Sequence, residues 1–434
     1  MKKRSIAAVG LLSAFAAVNL APASALATAA TASAVSDVKL AWADAAHSAV
    51  KITWTSPLGD KVAITTNGGS PLELGATAAG APDELIVPVT KFAPTYDATW
   101  SSQIVVTDSN GAKGESKKFD QYVPRAIPTG VTFGPGNTVQ GGTTLEQKDD
   151  LTPNDPLDVS VPLKYATKLL VNCTPKISAV TSSSKFSFPA PGVPSLLWIN
   201  TSNEWPSPWT DENYVGFELN TAGLKTTAPT TTTYGQTFTL SGVVLLNQLY
   251  YTYWNGNCGI EQVEPNPRLV VVQARKDSAS PWGVVGTTKT DAVGKFSYRV
   301  TNPGTRQYRV VVPNAKTTTS LDYGVASLPR TITATTKVVA AKFLSSVVAY
   351  GKPATAYLSV LPGGSQRALL QAKSTTGVWT GVTYKTLAAG KGSVAITWKR
   401  RGLTAFRWYS PAVKTSSGLT VGAAFSPVFY LSVR

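Results

Sequence analysis

The sequence predicts an all-β chain built from tandem sandwiches, and three features carry that prediction. Thr, Val, Ser, Gly and Pro dominate, with 35 Gly and 29 Pro in 434 residues. Thr and Val suit half-buried pleated surfaces, and Gly and Pro punctuate turns. Beyond the first 34 residues no long stretch keeps a 3.6-residue apolar period, whereas many short runs alternate at period two. Finally, the second half of the chain repeats itself.

Residues 1–34 form a leader. Lys2, Lys3 and Arg4 precede an apolar run from Ile6 to Leu20, and small-residue sites follow at Ala23-Ser24-Ala25 and Ala32-Ser33-Ala34. Basic end, short apolar core and A-x-A site together predict a secretory signal peptide. The core is too short to span a bilayer comfortably. The closing residues "FYLSVR" carry no sorting motif or hydrophobic tail. The expectation is a secreted chain without a covalent anchor, extracellular and associated with the cell envelope.

Residues 35–125 follow. "VKLAWADAAHSAVKITWTSP" alternates around Trp42 and Trp54, and "YDATWSSQIVVTDSNGAKGES" places a strand pair across Asn110-Gly111, a strong hairpin signal. Residues 126–225 hold strand-like pieces, "LDVSVPL", "KLLVNCT" and "SKFSF", between turn-rich connections, and are expected to form a further sandwich. Pro124–Pro128 is the expected linker.

The repeat occupies 226–329 and 330–434. "RLVVVQARKDSASPW" at Arg268 matches "RALLQAKSTTGVW" at Arg367, and "YRVVVPNAKTTTSLDYGVASLP" at Tyr308 matches "FRWYSPAVKTSSGLTVGAAFSP" at Phe406. Gln273 and Gln371, Tyr308 and Phe406, and Pro313 and Pro411 are each 98 residues apart. "GKFSYRV" at Gly294 matches "GKGSVAITW", with Gly390 or Gly392 as its counterpart glycine.

Through "YGQTFTLSG", "VVVQARKDSASPWGVVGTTKTDAVGKFSYRV" and "YRVVVP", the repeat resembles the immunoglobulin-like modules of exported actinobacterial proteins. Residues 36–125 resemble a fibronectin type III or related sandwich. The likeness implies a fold and says little of activity.

Before Arg268 the spacing changes, with Tyr234 and Tyr350 lying 116 residues apart. The stretch 246–267, "LNQLYYTYWNGNCGIEQVEPNP", is therefore an insertion in the third sandwich. It holds Cys258, and Cys173 is the other cysteine. In an exported chain the simplest arithmetic is one bridge, with two separate thiols as the alternative. A bridge would tie the insertion to the preceding domain as a docking segment, its aromatics covering the contact. The competing role is an exposed sugar-stacking platform using Tyr251 and Trp254.

Charge is unevenly placed. The formal charge is +16. Between Val35 and Pro329 stand 23 Lys/Arg and 24 Asp/Glu, but from Arg330 to Arg434 there are 14 Lys/Arg and no acid. Such a domain repels itself unless a polyanion screens it. Cations stand beside rings in "TWKRRGL" and "FRWYSP". Trp398, Lys399, Arg400, Arg401, Arg407 and Trp408 are therefore the expected contact with an anionic cell-wall polymer or acidic polysaccharide. Other surface proteins are further candidate partners. Solubility is the plain alternative.

Chemistry finds little support. The one histidine, His47, sits in a turn with no nucleophile or metal motif near it in sequence. "WINTSNEWPSPWTDENYVGFEL" mixes Trp198, Trp205 and Trp209 with Glu204, Asp211, Glu212 and Glu218. Packing is the first expectation there, sugar stacking on Trp205 and Trp209 the second, and glycoside hydrolysis a distant third. Asp149, Asp150, Asp155 and Asp158 offer oxygen ligands without the spacing of an EF-hand. A non-enzymatic, adhesive protein without cofactor or metal is expected.

Overall fold

In the computed structural model, residues 35–146, 152–208, 216–252 and 257–434 are described. The leader, Asp149, Asp150, Trp209, Asp211, Glu212 and Trp254 lie outside them. The chain is all-β, with several antiparallel sheets, and divides into two compact units. Among the described residues no helix is long and apolar enough to cross a membrane.

The first unit is a seven-stranded sandwich. One sheet orders Ser36–Trp42, Ala49–Thr55 and Glu84–Pro88; the other orders Leu72–Thr77, Asp60–Thr66, Ser102–Asp108 and Lys113–Glu115. Alternation aims Val50, Ile52, Trp54, Val62, Ile64, Ile104 and Val106 inward, all buried. The Asn110-Gly111 turn closes the expected hairpin. Gly111 takes φ +85°, and Asp108 Oδ1 accepts the Asn110 and Ala112 N–H groups at 2.9 and 2.8 Å. Residues 152–158 also belong to this unit.

The second unit is threaded by one twelve-stranded sheet. Phe217–Thr227 pairs Ser195–Ser202 through Phe217–Leu219 and Thr237–Thr252 through Thr221–Thr227, so the sheet of 126–225 runs directly into the third sandwich. Thr237–Thr252 is likewise shared. Its start pairs Lys295–Thr301, and its end pairs Asn257–Val263. The insertion is thus the outward continuation of a sandwich strand as a hairpin, where a docking loop was expected. Its Leu249 is buried with Leu170, Leu196 and Trp198, and Cys258 packs beside them. Cys258 is bonded to Cys173, with Cα atoms 5.7 Å apart.

The third and fourth sandwiches repeat each other in detail. Gly294 and Gly390 correspond. They take φ +74° and +72°, and each carbonyl accepts the N–H of its neighbour, Val244 or Val360, at 2.8 Å. A Cβ at either would strike that neighbour's carbonyl, at 2.1 or 2.4 Å, so no other residue fits. In each copy a short strand pairs in parallel with the last: Thr231–Thr233 with Arg330–Thr335, and Val347–Val348 with Phe429–Val433. Arg330–Thr335 therefore closes the third sandwich, and the cationic sandwich starts after it rather than at Arg330. One extra residue in the later hairpin moves the offset to 99, so that Ser327 corresponds to Ser426; both bond the strand opposite, at Val310 and Trp408.

That hairpin links the sandwiches. In the third it comprises Ala315–Lys316 and Ser320–Tyr323, and Ser320–Tyr323 adds a parallel strand beside Phe217–Thr227. In the fourth it comprises Val413–Lys414 and Thr420–Val421. There Thr305 N–H donates to Thr420 O at 2.8 Å and Gly422 N–H to Ala334 O at 2.7 Å. Leu419 lies against Gly304, where a Cβ would come within 2.5 Å of it.

Candidate functional site

The fourth sandwich separates the six residues expected to meet a polyanion into three places. Trp408 is fully buried, in a core with Phe343, Leu358, Leu370, Phe406 and Leu431. It faces inward because residues at period two along Gly402–Ser410 share a face, so it cannot point with Arg407. Trp398 is half-buried; it packs edge-on against Phe406 and donates from Nε1 to Thr404 Oγ1 at 3.1 Å. Arg407 stands on the outer face of the sheet.

Lys399, Arg400 and Arg401 occupy the loop at one tip. Strand register brings two further cations to that tip. Pro353 pairs Thr397, which sets Lys352 beside the loop, and Gly402 pairs Val433, which sets Arg434 beside Arg401. Tyr350 joins them: its N–H donates to Arg434 O at 2.8 Å, and the Arg401 guanidinium lies 4.7 Å from its ring centroid. Lys352, Lys399, Arg401 and Arg434 are exposed and Arg400 is half-exposed. The corresponding tip of the third sandwich, at Tyr234 and Gly304, is the one that receives the fourth.

The aromatic candidates fare differently. Trp205 is buried, at 2% exposure, so its ring is not offered to a sugar. Trp198 is buried as well, with Lys168 Nζ 5.6 Å from its centroid. Tyr250 and Tyr251 are each 42% exposed, on the hairpin, where Tyr251 pairs with Cys258. Of the carboxylates, Glu218 accepts from Asn220 and Gln248, and Glu204 from Asn203. Glu218 lines a cavity with Glu264 and Asp322, and Asp322 is already paired with Arg268. His47 packs against Trp42 with the rings tilted at 46° and their centroids 4.8 Å apart.

In the first unit Asp155 and Asp158 meet Asp120, which lies far away in sequence; one oxygen from each lies within 4.8 Å of the others. The arrangement offers hard oxygen ligands, but the protein's own donors already bond all three, with Asp120 Oδ2 accepting from Thr152 Oγ1 at 2.6 Å. Asp155 accepts from the N–H groups of Leu157 at 2.6 Å and Asp120 at 2.7 Å, and Asp158 accepts from Asp155 N–H at 2.9 Å. This is the chemistry of a tied turn.

Burial pushes the Asp155 carboxyl up to about 6, with Asp158's charge adding to the rise and the backbone bonds opposing it. A raised folded-state value favours the protonated form. The contribution to stability is complete below the unfolded value of 3.8 and is lost as pH rises through about 6. The first unit of the wild type should therefore lose stability relative to Asp155→Asn between pH 4 and pH 6. Urea midpoints of both proteins at those two pH values check this; a constant difference would refute it.

No family model matches the chain and no curated protein matches it. Solved structures do align. The FN1–FN3 domains of chicken CNTN1 align at 8% identity over 70% of this chain and 99% of that one, with a TM-score of 0.21. A solved chain from a study of host cell surface retention of a 1.5-MDa bacterial ice-binding adhesin aligns at 10% identity over 92% of this chain and 98% of that solved chain, TM-score 0.19. The alpha-2-macroglobulin of E. coli aligns at 11% identity, TM-score 0.20, over 89% of this chain, which spans about three-tenths (30%) of its length. At such scores no function is carried across. The fold is all-β, with several antiparallel sheets in domains that resemble tandem immunoglobulin- and fibronectin type III-like sandwiches.

Proposed function

We propose that this is an exported, non-enzymatic adhesive protein that holds an anionic cell-wall polymer through the cationic tip of its fourth sandwich. The observation that supports this is the convergence of Lys352, Lys399, Arg400, Arg401 and Arg434 on one tip of an acid-free sandwich. Among the described residues none of the five is in an ion pair. Unscreened like charges at one tip cost stability, and an anionic polymer relieves that cost. The Cys173–Cys258 bond fits an oxidising, extracellular setting.

The test uses the full mature chain and washed cell walls across a salt series, with and without prior removal of wall phosphate polymers. Binding should be salt-sensitive and lost on stripping. Lys399→Gln with Arg400→Gln and Arg401→Gln should weaken retention and flatten the log–log salt slope by roughly 2–3, about one per released counterion. An unchanged slope in the triple variant would sink the tip assignment.

A further inference from the structure

The outer sheet faces of the third and fourth sandwiches carry the same three side chains. In the third, Arg309 Nε donates to Gln273 Oε1 at 2.8 Å and its guanidinium lies 4.4 Å from the Trp282 centroid. In the fourth, Arg407 Nε donates to Gln371 Oε1 at 2.8 Å and lies 4.4 Å from the Trp379 centroid. Arg309 and Arg407 are 98 residues apart, as are Gln273 and Gln371.

The copies then diverge. Trp282 holds a second guanidinium, Arg275, also at 4.4 Å, which donates to Gln307. The counterparts of Arg275 and Gln307 are Lys373 and Ala405. Among the described residues Arg407 is the one cation over Trp379. On the far side of the strand Phe425, in place of Ala326, comes 3.9 Å from Arg407. The third sandwich thus has a closed set, two arginines saturating one indole. The fourth has an opened set, one arginine set against two rings.

We infer that the Arg407 face is a second ligand site, for a uronate-bearing polysaccharide. Gln371 uses only Nε, so the two terminal nitrogens of Arg407 remain as a fork whose orientation the rings and the glutamine hold. Such a fork accepts a carboxylate through two parallel hydrogen bonds. The rings beside it offer apolar faces to the C–H groups of a pyranose. Tyr384 extends the ring surface; it is 53% exposed and carries Arg367 at 4.2 Å. A linear phosphate polymer would use the fork and leave the rings bare. The site lies about 17 Å along the strand from the cationic tip, five residues at about 3.3 Å each. It does not depend on the tip binding anything.

The experiment titrates the full mature chain with an oligogalacturonate and with its methyl ester, following tryptophan fluorescence at physiological salt. The acid form should bind, and the ester at least ten-fold more weakly. Arg407→Lys keeps the charge and removes the fork; it should weaken binding at least ten-fold, while Arg309→Lys in the closed copy leaves it unchanged. Thermal melts of both variants confirm folding. Failure of the acid form to bind, wild-type binding by Arg407→Lys, or equal loss in Arg309→Lys would each overturn the site. None of these results bears on wall retention through Lys399–Arg401, which is read with phosphate-polymer walls.

Discussion

Replacing Asp322 by alanine is expected to destabilise the protein by about 3–5 kcal/mol. Asp322 is the last acidic residue of the chain and is 3% exposed. Its Oδ2 accepts from Arg268 Nη1, and its Oδ1 accepts from Asn220 Nδ2 at 3.0 Å and Ser320 Oγ at 3.1 Å. Arg268 is equally enclosed, and Pro313 O at 3.2 Å is the other acceptor of its guanidinium. Removing the carboxylate leaves a buried cation without its paired counter-charge and takes one acceptor each from the Asn220 amide and the Ser320 hydroxyl, which keep Glu218 and Thr317 as partners. It does so at the strand joining the third sandwich to Phe217–Thr227, so the junction should loosen first. The fourth sandwich indicates a rescue, since it fills the same two positions with Gln366 and Val421. Arg268→Gln combined with Asp322→Val should regain most of the loss, because a buried pair replaced as a pair is close to neutral. Urea denaturation of the three proteins decides it. A cost below about 1 kcal/mol for Asp322→Ala would be that of an exposed pair and would contradict the burial.

Much of this was legible in the sequence, because strands advertise themselves through alternation. The 98-residue offset marks equivalent strands in the sequence itself, and Asn110-Gly111 marks its hairpin through the backbone angles that only such residues tolerate comfortably. What stayed hidden depends on register. Lys352 and Arg434 reach the KRR loop only because their strands pair with its flanks, and a list of basic residues carries no pairing. Asp120 meets Asp155 through a long-range loop contact, its N–H donating to Asp155 Oδ2 at 2.7 Å, which no local pattern announces. Trp408 is different, since the sequence did hold the answer. Thr404, Phe406, Trp408 and Ser410 fall on one face of the strand and Arg407 on the other. Treating "FRWYSP" as a cluster rather than as a period-two strand placed a core residue on the surface. Trp205 gave no comparable signal, because it follows its strand within a turn-rich segment where no period applies.

Removing both cysteines, by Cys173→Ser and Cys258→Ser, is expected to lower stability by about 4–5 kcal/mol. The bond joins residues 85 apart, and closing a loop of that length takes entropy from the unfolded chain. The folded state should change little. Leu246–Thr252 stays paired with Asn257–Val263, and Leu249 stays buried against Leu170, Leu196 and Trp198 whether or not the sulfurs are joined. The near-ultraviolet circular dichroism of the double variant should therefore match the wild type while its denaturation midpoint falls. A lost aromatic signal would mean instead that the bond holds the hairpin in place, so that the apolar contact beneath Leu249 cannot persist alone. Equal midpoints would mean that the hairpin and the Cys173 turn stay together in the unfolded chain, which removes the entropic advantage. The wild type under reducing conditions supplies the control, since it loses the same cross-link without a change of side chain.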